Sequence, residues 1–133
     1  MKVLLIEDDM IETMKMHRAV SGMQTKHQII EAKNGEEALE VLNGGGELPD
    51  ILFLDLNMPR MSGIEFLQIL KNDDRLKFLP TIILTTSENR ADLLKCYEIG
   101  IAGYIIKPLK YEDYENRIKK VFDYWEVSEL FKG

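Results

Sequence analysis

A doubly wound α/β fold on a five-stranded parallel sheet is predicted by three observations. Short, nearly continuous apolar runs recur along the chain, as expected of strands buried on both faces. Longer segments of helical period separate them. The strand-then-helix unit repeats five times, and such alternation favours right-handed crossovers with helices on both faces.

The elements follow in order. Val3 to Ile6 is the first strand, and Met10 to Ser21 the first helix. Gln28 to Ala32 is a weaker second strand, and Asn34 is a good cap for a helix over Gly35 to Leu42. Ile51 to Leu54 is the third strand, followed by a helix over Gly63 to Leu70 with Ser62 as its cap. Ile82 to Leu84 is the fourth strand; the fourth helix is read over Ser87 to Tyr97 and stops at Gly100. Tyr104 to Ile106 is the fifth strand. Tyr111, Tyr114, Ile118, Val121, Phe122 and Trp125 then mark the clearest amphipathic helix. The loops over Asn43 to Pro49, with three consecutive glycines, and over Asn72 to Pro80 are too short to be domain linkers. The 133 residues are expected to form a single domain, 1–133, with helix five and an aromatic tail at about 110–131.

Composition narrows the function. The chain is 45% hydrophobic and 30% charged, with a formal net charge of −6 and no basic stripe, which argues against direct nucleic-acid binding. No apolar run approaches the roughly 20 residues that span a bilayer. The acidic start at Glu7-Asp8-Asp9 is unlike a signal peptide. A lone cysteine, Cys96, permits no internal disulfide, so a cytoplasmic, membrane-free setting is expected. His17 and His27 have no ligand-spaced partner and are not read as metal ligands.

In a parallel sheet, ligands gather at the carboxyl ends of the strands. Strand one ends in Glu7-Asp8-Asp9 and strand three in Asp55. Converging carboxylates raise one another's pKa unless a cation neutralises them. An oxygen-only, partly hydrated donor set suits Mg²⁺, with Mn²⁺ as a substitute. Asp9 reads equally well as a helix cap. Strand four ends in Thr85-Thr86-Ser87 and strand five in Lys107-Pro108. A hydroxyl and an ammonium beside an acid and a metal make a phosphoryl site.

These residues resemble the response regulator receiver family. The matching stretches are residues 3–9, Leu54-Asp55-Leu56-Asn57-Met58-Pro59, Gly63, Thr85, and Tyr104 through Lys107-Pro108. The resemblance implies a flavodoxin-like (βα)5 fold with strand order 2-1-3-4-5. It implies that Asp55 takes a phosphoryl group from a phosphohistidine. Asp8 would bind Mg²⁺ directly, Glu7 through water, Asn57 through its backbone carbonyl, and Asp55 would complete the set. Thr85 would hydrogen-bond a phosphoryl oxygen and Lys107 pair with its charge. Tyr104 would be either the aromatic switch of the family or a plain core aromatic. Pro59 and Gly63 would shape the loop after Asp55, and a cis peptide before Pro108 would aim Lys107. Thr86 is larger than the residue usual there and is expected to slow attack by water on the phosphoryl group. Met10, Met58 and Met61 are expected to border the site.

The resemblance further implies a switch rather than an enzyme, with a sensor histidine kinase or phosphotransfer protein as partner. Residues Leu76 through Pro80, Leu84 through Ser87 and the Tyr124-Trp125 pair are similar to stand-alone regulators of phytochrome-type kinases. A homodimer through the helix four, strand five, helix five face and the tail is one expectation; Trp125 packed against the sheet is the alternative. No output domain fits after helix five, so output would be a binding surface or onward phosphotransfer. A haloacid dehalogenase-type phosphatase would need a second aspartate where Asn57 stands. A flavin or nucleotide carrier would need a phosphate cradle after strand one, where three acids stand. A receiver that only docks would not need the complete set of site residues found here.

Overall fold

The computed structural model describes residues 1–132; Gly133, the end of the expected domain, lies outside the described residues. The elements are β1 (Lys2–Ile6), α1 (Met10–Ser21), β2 (Gln28–Ala32), α2 (Gly35–Leu42), β3 (Ile51–Leu54), α3 (Gly63–Lys71), β4 (Thr81–Thr85), α4 (Arg90–Ile99), β5 (Gly103–Ile106) and α5 (Tyr111–Val127). All five strands pair in parallel in the order β2-β1-β3-β4-β5. The chain therefore reverses its direction of travel across the sheet between β1 and β3, and sheets of this kind take their ligands at the strands' carboxyl ends beside such a reversal.

The pleat divides the core in two. Leu4, Ile6, Leu52, Leu54 and Ile83 pack under α2, α3 and α4 with Leu42, Phe66, Leu67 and Cys96. Val3, Leu5, Ile51, Phe53, Ile82 and Leu84 pack under α1 and α5 with Met16, Tyr114, Ile118 and Phe122. Side chains alternate between faces, which is why β3 and β4 need apolar residues at nearly every position. Thr81, fully buried, donates its hydroxyl proton to the Leu79 carbonyl at 3.3 Å.

Helix starts follow their caps. Asp9, Asn34 and Ser62 accept from Ile11, Glu37 and Glu65 amides. The fourth helix begins three residues later than expected, because Asn89 and not an earlier residue caps it, accepting from Ala91 and Asp92. Its end at Gly100, with φ 122°, uses a conformation open chiefly to glycine. Helix five runs to Val127, and the tail folds back across the amino-terminal rim of the sheet. There the Phe131 ring meets Phe78 edge-on at 4.7 Å, and Lys132 pairs with Asp50 at 2.5 Å. Trp125 is half-buried against the α1–α5 core, with Tyr124 edge-on to it at 4.9 Å. Cys96 is buried, and burial pushes its thiol up to about 11, so it is inert packing. Among the described residues no helix is long and apolar enough to cross a membrane.

Candidate functional site

Three strand ends deliver the site. Glu7 follows β1, Asp55 follows β3 and Lys107 follows β5. Alternation along those strands places all three on the α1–α5 side of the sheet, since Leu5, Phe53 and Ile105 belong to that core. Thr85 and Tyr104 fall on the opposite side, with Ile83, under α3 and α4. The charged centre and the residues expected to read it out thus lie on opposite faces of one sheet.

Glu7, Asp8 and Asp55 each offer a carboxylate oxygen, all within 4.8 Å of one another. Glu7 and Asp55 are buried and Asp8 is exposed. A hard, partly hydrated divalent cation fits this oxygen set, so Mg²⁺ or Mn²⁺ is the ion the donors suit. The Lys107 ammonium sits among the acids, 2.6 Å from Glu7 Oε1, 3.9 Å from Asp55 Oδ2 and 3.7 Å from Glu12 Oε2. Burial pushes the Glu7 carboxyl up to about 7; its Lys107 partner pulls the other way and Asp55 adds to the rise. For Lys107 burial acts downward, but the Glu7 hydrogen bond and the charges of Glu7, Asp55 and Glu12 outweigh it and leave the ammonium above its ordinary value. Lys107 is therefore a firmly charged counter-ion at neutral pH.

The loop after Asp55 is held by backbone. Gly63 N–H donates to the Leu56 carbonyl at 3.0 Å, and a Cβ on Gly63 would lie 2.7 Å from Leu56 Cα and closer still to the Asp55 carbonyl oxygen. Arg60, just past Pro59, takes φ 69°, a left-handed turn that closes the loop. The Asn57 amide lies 3.5 Å from Asp55 Oδ1, and the residue is exposed.

Thr85 is fully buried, and its Oγ1 accepts from the Ser87 amide at 3.2 Å. Thr86 is exposed. Tyr104 is half-buried against the α3–α4 core and donates its hydroxyl proton to the Ser87 carbonyl at 3.1 Å. Ser87 thus links Thr85 to Tyr104 by two hydrogen bonds.

One expectation is corrected. No peptide among the described residues is cis, so Lys107-Pro108 is trans. Trans is the favoured isomer of an X-Pro bond by about 0.5–1 kcal/mol. Here the β4–β5 ladder already aims Lys107, whose amide donates to the Thr85 carbonyl at 2.8 Å. Asp9 caps α1 and its carboxylate is committed to the Ile11 amide at 2.9 Å. Two features went unread in the sequence. One is the Glu7–Lys107 pair; the other is Glu12, whose place in the first turn of α1, directly after the acidic end of β1, could have set it over the same rim.

Comparison with known proteins agrees with this geometry. A model of the response regulator receiver domain matches residues 3–119. The chain is 34% identical to the probable methanogenesis regulatory protein FilR2 of Methanothrix harundinacea, over 92% of this chain and 82% of that protein. It is 32% identical to the chemotaxis protein CheY of Pseudomonas aeruginosa, over 92% of this chain and 97% of that one. Among solved structures, the phosphorylated cyanobacterial phytochrome response regulator RcpA superposes with a TM-score of 0.92 at 27% identity, covering 97% and 96% of the two chains. The Mn²⁺-bound form of response regulator Rcp1 does so at 0.89 and 27%, covering 98% of each. With its sheet order, its acidic rim and a family match over most of its length, this chain belongs to the response regulator receiver family, whose members act as phosphorylation-driven switches.

Proposed function

We propose that Asp55 is the phosphoacceptor of a two-component regulator and that a sensor histidine kinase supplies the phosphoryl group. The observation that carries this reading is the buried Asp55 carboxylate, grouped with Glu7 and Asp8 and 3.9 Å from the Lys107 ammonium. An Asp55 oxygen forms the bond to phosphorus while the donor's phosphorus–nitrogen bond breaks, its electron pair staying on the imidazole. Glu7, Asp8 and Asp55, with the Asn57 carbonyl, would hold Mg²⁺, which when bound neutralises charge on the phosphoryl oxygens. Lys107 supplies a second positive charge, and Thr85 offers a hydroxyl donor. The rim beside the site exposes Met10, Ile11, Met14 and Leu109, an apolar border of the kind a protein phosphodonor would cover.

Phosphorylation adds about −1.5 to −2 charge beside Lys107 and Thr85. Thr85 moving toward that charge would break its bond from the Ser87 amide and so disturb the Ser87–Tyr104 link. Tyr104 and the α4, β5, α5 surface then shift population. An open apolar groove of about 560 Å³ between β5 and α5, with Ile105, Val121, Tyr124 and Trp125 in its lining, supports a homodimer or target site on that face. Gel filtration with and without a phosphoryl mimic tests the dimer: an unchanged elution volume at all concentrations would remove it. We take the domain to extend past the matched residues through α5 and the tail, since α5 packs on the α1–α5 core and Phe131 of the tail docks on Phe78.

The deciding experiment is incubation with an acyl phosphate and Mg²⁺, followed by intact mass. Wild type should gain one phosphoryl group and Asp55→Asn none. Equal gain in both, or none in wild type, overturns the reading.

A further inference from the structure

Glu12 occupies the third helical position of α1, counted from the cap Asp9. A glutamate there ordinarily reaches back to the cap's own amide, as the second half of a capping box. Here that amide is taken: Asp9 N–H donates to Glu7 Oε2 at 3.2 Å. Glu12 is turned instead toward the site. Its Oε1 accepts from Lys15 at 3.3 Å, while Oε2 is buried with no hydrogen-bond donor and lies 3.7 Å from the Lys107 ammonium. A buried carboxylate oxygen without a donor is costly, and the nearby positive charge is what offsets it.

Lys107 therefore stands between competing acids. Glu7 has a second claimant, because it belongs to the metal-binding trio with Asp8 and Asp55. Glu12 is outside that trio, so its hold on Lys107 persists when a cation enters. To serve a phosphoryl group on Asp55, the ammonium must leave Glu12.

We propose that Glu12 is a positioning residue that retains Lys107 in the unphosphorylated site and competes with the phosphoryl group for its ammonium. It works as a brake: it lowers the affinity of the site for a phosphoryl group without touching that group. The proposal rests on the phosphoacceptor reading, in which Lys107 pairs with phosphoryl charge. Lys15 keeps Glu12 from being stranded when Lys107 departs, which limits the brake to a few-fold effect.

The test is the equilibrium affinity for beryllium trifluoride, a stable phosphoryl mimic, in excess Mg²⁺, measured by calorimetry. Glu12→Gln should bind about three- to five-fold more tightly than wild type, the range of a partly exposed ion pair. Glu12→Asp, which keeps the charge, should gain less than Glu12→Gln. In a Lys107→Met background the gain from Glu12→Gln should fall toward none, an outcome that a purely structural role for Glu12 would not produce. No gain from Glu12→Gln, equal gains from Gln and Asp, or the same gain with and without Lys107 would each overturn the proposal. The last of these would point to long-range repulsion in place of competition. Wild type that binds the mimic while Glu12→Gln gains nothing sinks this inference alone. Wild type that binds no mimic and takes no phosphate on Asp55 overturns the phosphoacceptor reading and this inference with it.

Discussion

Replacing Gly63 by alanine adds one methyl group where the loop from Asp55 crosses the start of α3. That carbon would sit 2.7 Å from Leu56 Cα and 3.1 Å from the Asp55 carbonyl carbon, with the Asp55 oxygen nearer still. Carbon pairs are at ease at about 3.5–4.0 Å, so the two segments must part by close to an ångström. Neither is free to move: Gly63 N–H is bonded to the Leu56 carbonyl at 3.0 Å and Asp55 N–H to the Ile6 carbonyl at 3.1 Å. Overpacking of this kind costs about 1–3 kcal/mol, and a clash with backbone places Gly63→Ala at the upper end. Alanine's better helix propensity returns at most about 1 kcal/mol, leaving a net loss of about 2 kcal/mol. Gly35→Ala is the matched control. Its Cβ would lie 2.6 Å from Met61 Sδ, an equally short approach, but a thioether can rotate away. Gly35→Ala should stay within about 1 kcal/mol of wild type. Urea denaturation of the three proteins, with phosphorylation from an acyl phosphate measured alongside, decides the matter. Gly63→Ala should be the less stable variant and the one with slower phosphorylation, because its displacement reaches the Asp55 backbone. Equal stability of the two variants, or a Gly63→Ala protein within about 0.5 kcal/mol of wild type, would refute the reasoning.

Three further outcomes are expected. In chelator, the Glu7 carboxyl, pushed by burial from 4.5 up to about 7, makes the native state hold a proton that the unfolded state has released. Its contribution is present below about pH 4.5 and is lost as pH rises through about 7. The stability of wild type minus that of Glu7→Gln should therefore fall across that window, by on the order of 2 kcal/mol, and a flat or rising difference counts against it. Arg60→Asn should stabilise by about 0.5–1 kcal/mol, since asparagine tolerates the left-handed turn better, and the exposed Arg60–Glu36 pair at 3.6 Å is a small loss. A lower urea midpoint for Arg60→Asn would contradict this. Thr86→Ala should lose phosphate from Asp55 faster than wild type, because the exposed Thr86 side chain lies at the rim that water must cross; equal rates by intact mass would remove any role for its bulk.

Much of this molecule was legible in its residues, for identifiable reasons. Ile51–Leu54 is buried at every position, so its apolar run could only be a strand covered on both sides. Asn34 and Ser62 announced their helices because side-chain caps act over three residues. The acidic trio followed from topology, since parallel strands bring their ends to one rim. What stayed hidden depends on side-chain choice at a distance. Glu7 and Lys107 are 100 residues apart, and nothing local says they touch. Glu12 carries the signature of a capping box, and only the bond from the Asp9 amide to Glu7 shows that it is free for another task. Trans geometry at Lys107-Pro108 departs from the expectation of resemblance and follows the intrinsic preference of the bond. The docking of Phe131 on Phe78 joins two exposed rings from distant segments, and neither segment's own pattern pairs them.

The four residues of β5 are all half-exposed, while those of β3 and β4 are buried throughout. β5 is also an edge strand, paired only to β4, and α4 beside it buries a single residue, Cys96. Amide hydrogen exchange in this protein should therefore be graded. β1, β3 and β4 would exchange only on global unfolding, and α4 with β5 through a cheaper partial opening. The carboxylates are anchored in the slow-exchanging half, while Lys107 and Tyr104 belong to the fast one. A small input at Asp55 can then redistribute the loosely held half while the scaffold that holds the carboxylates remains closed.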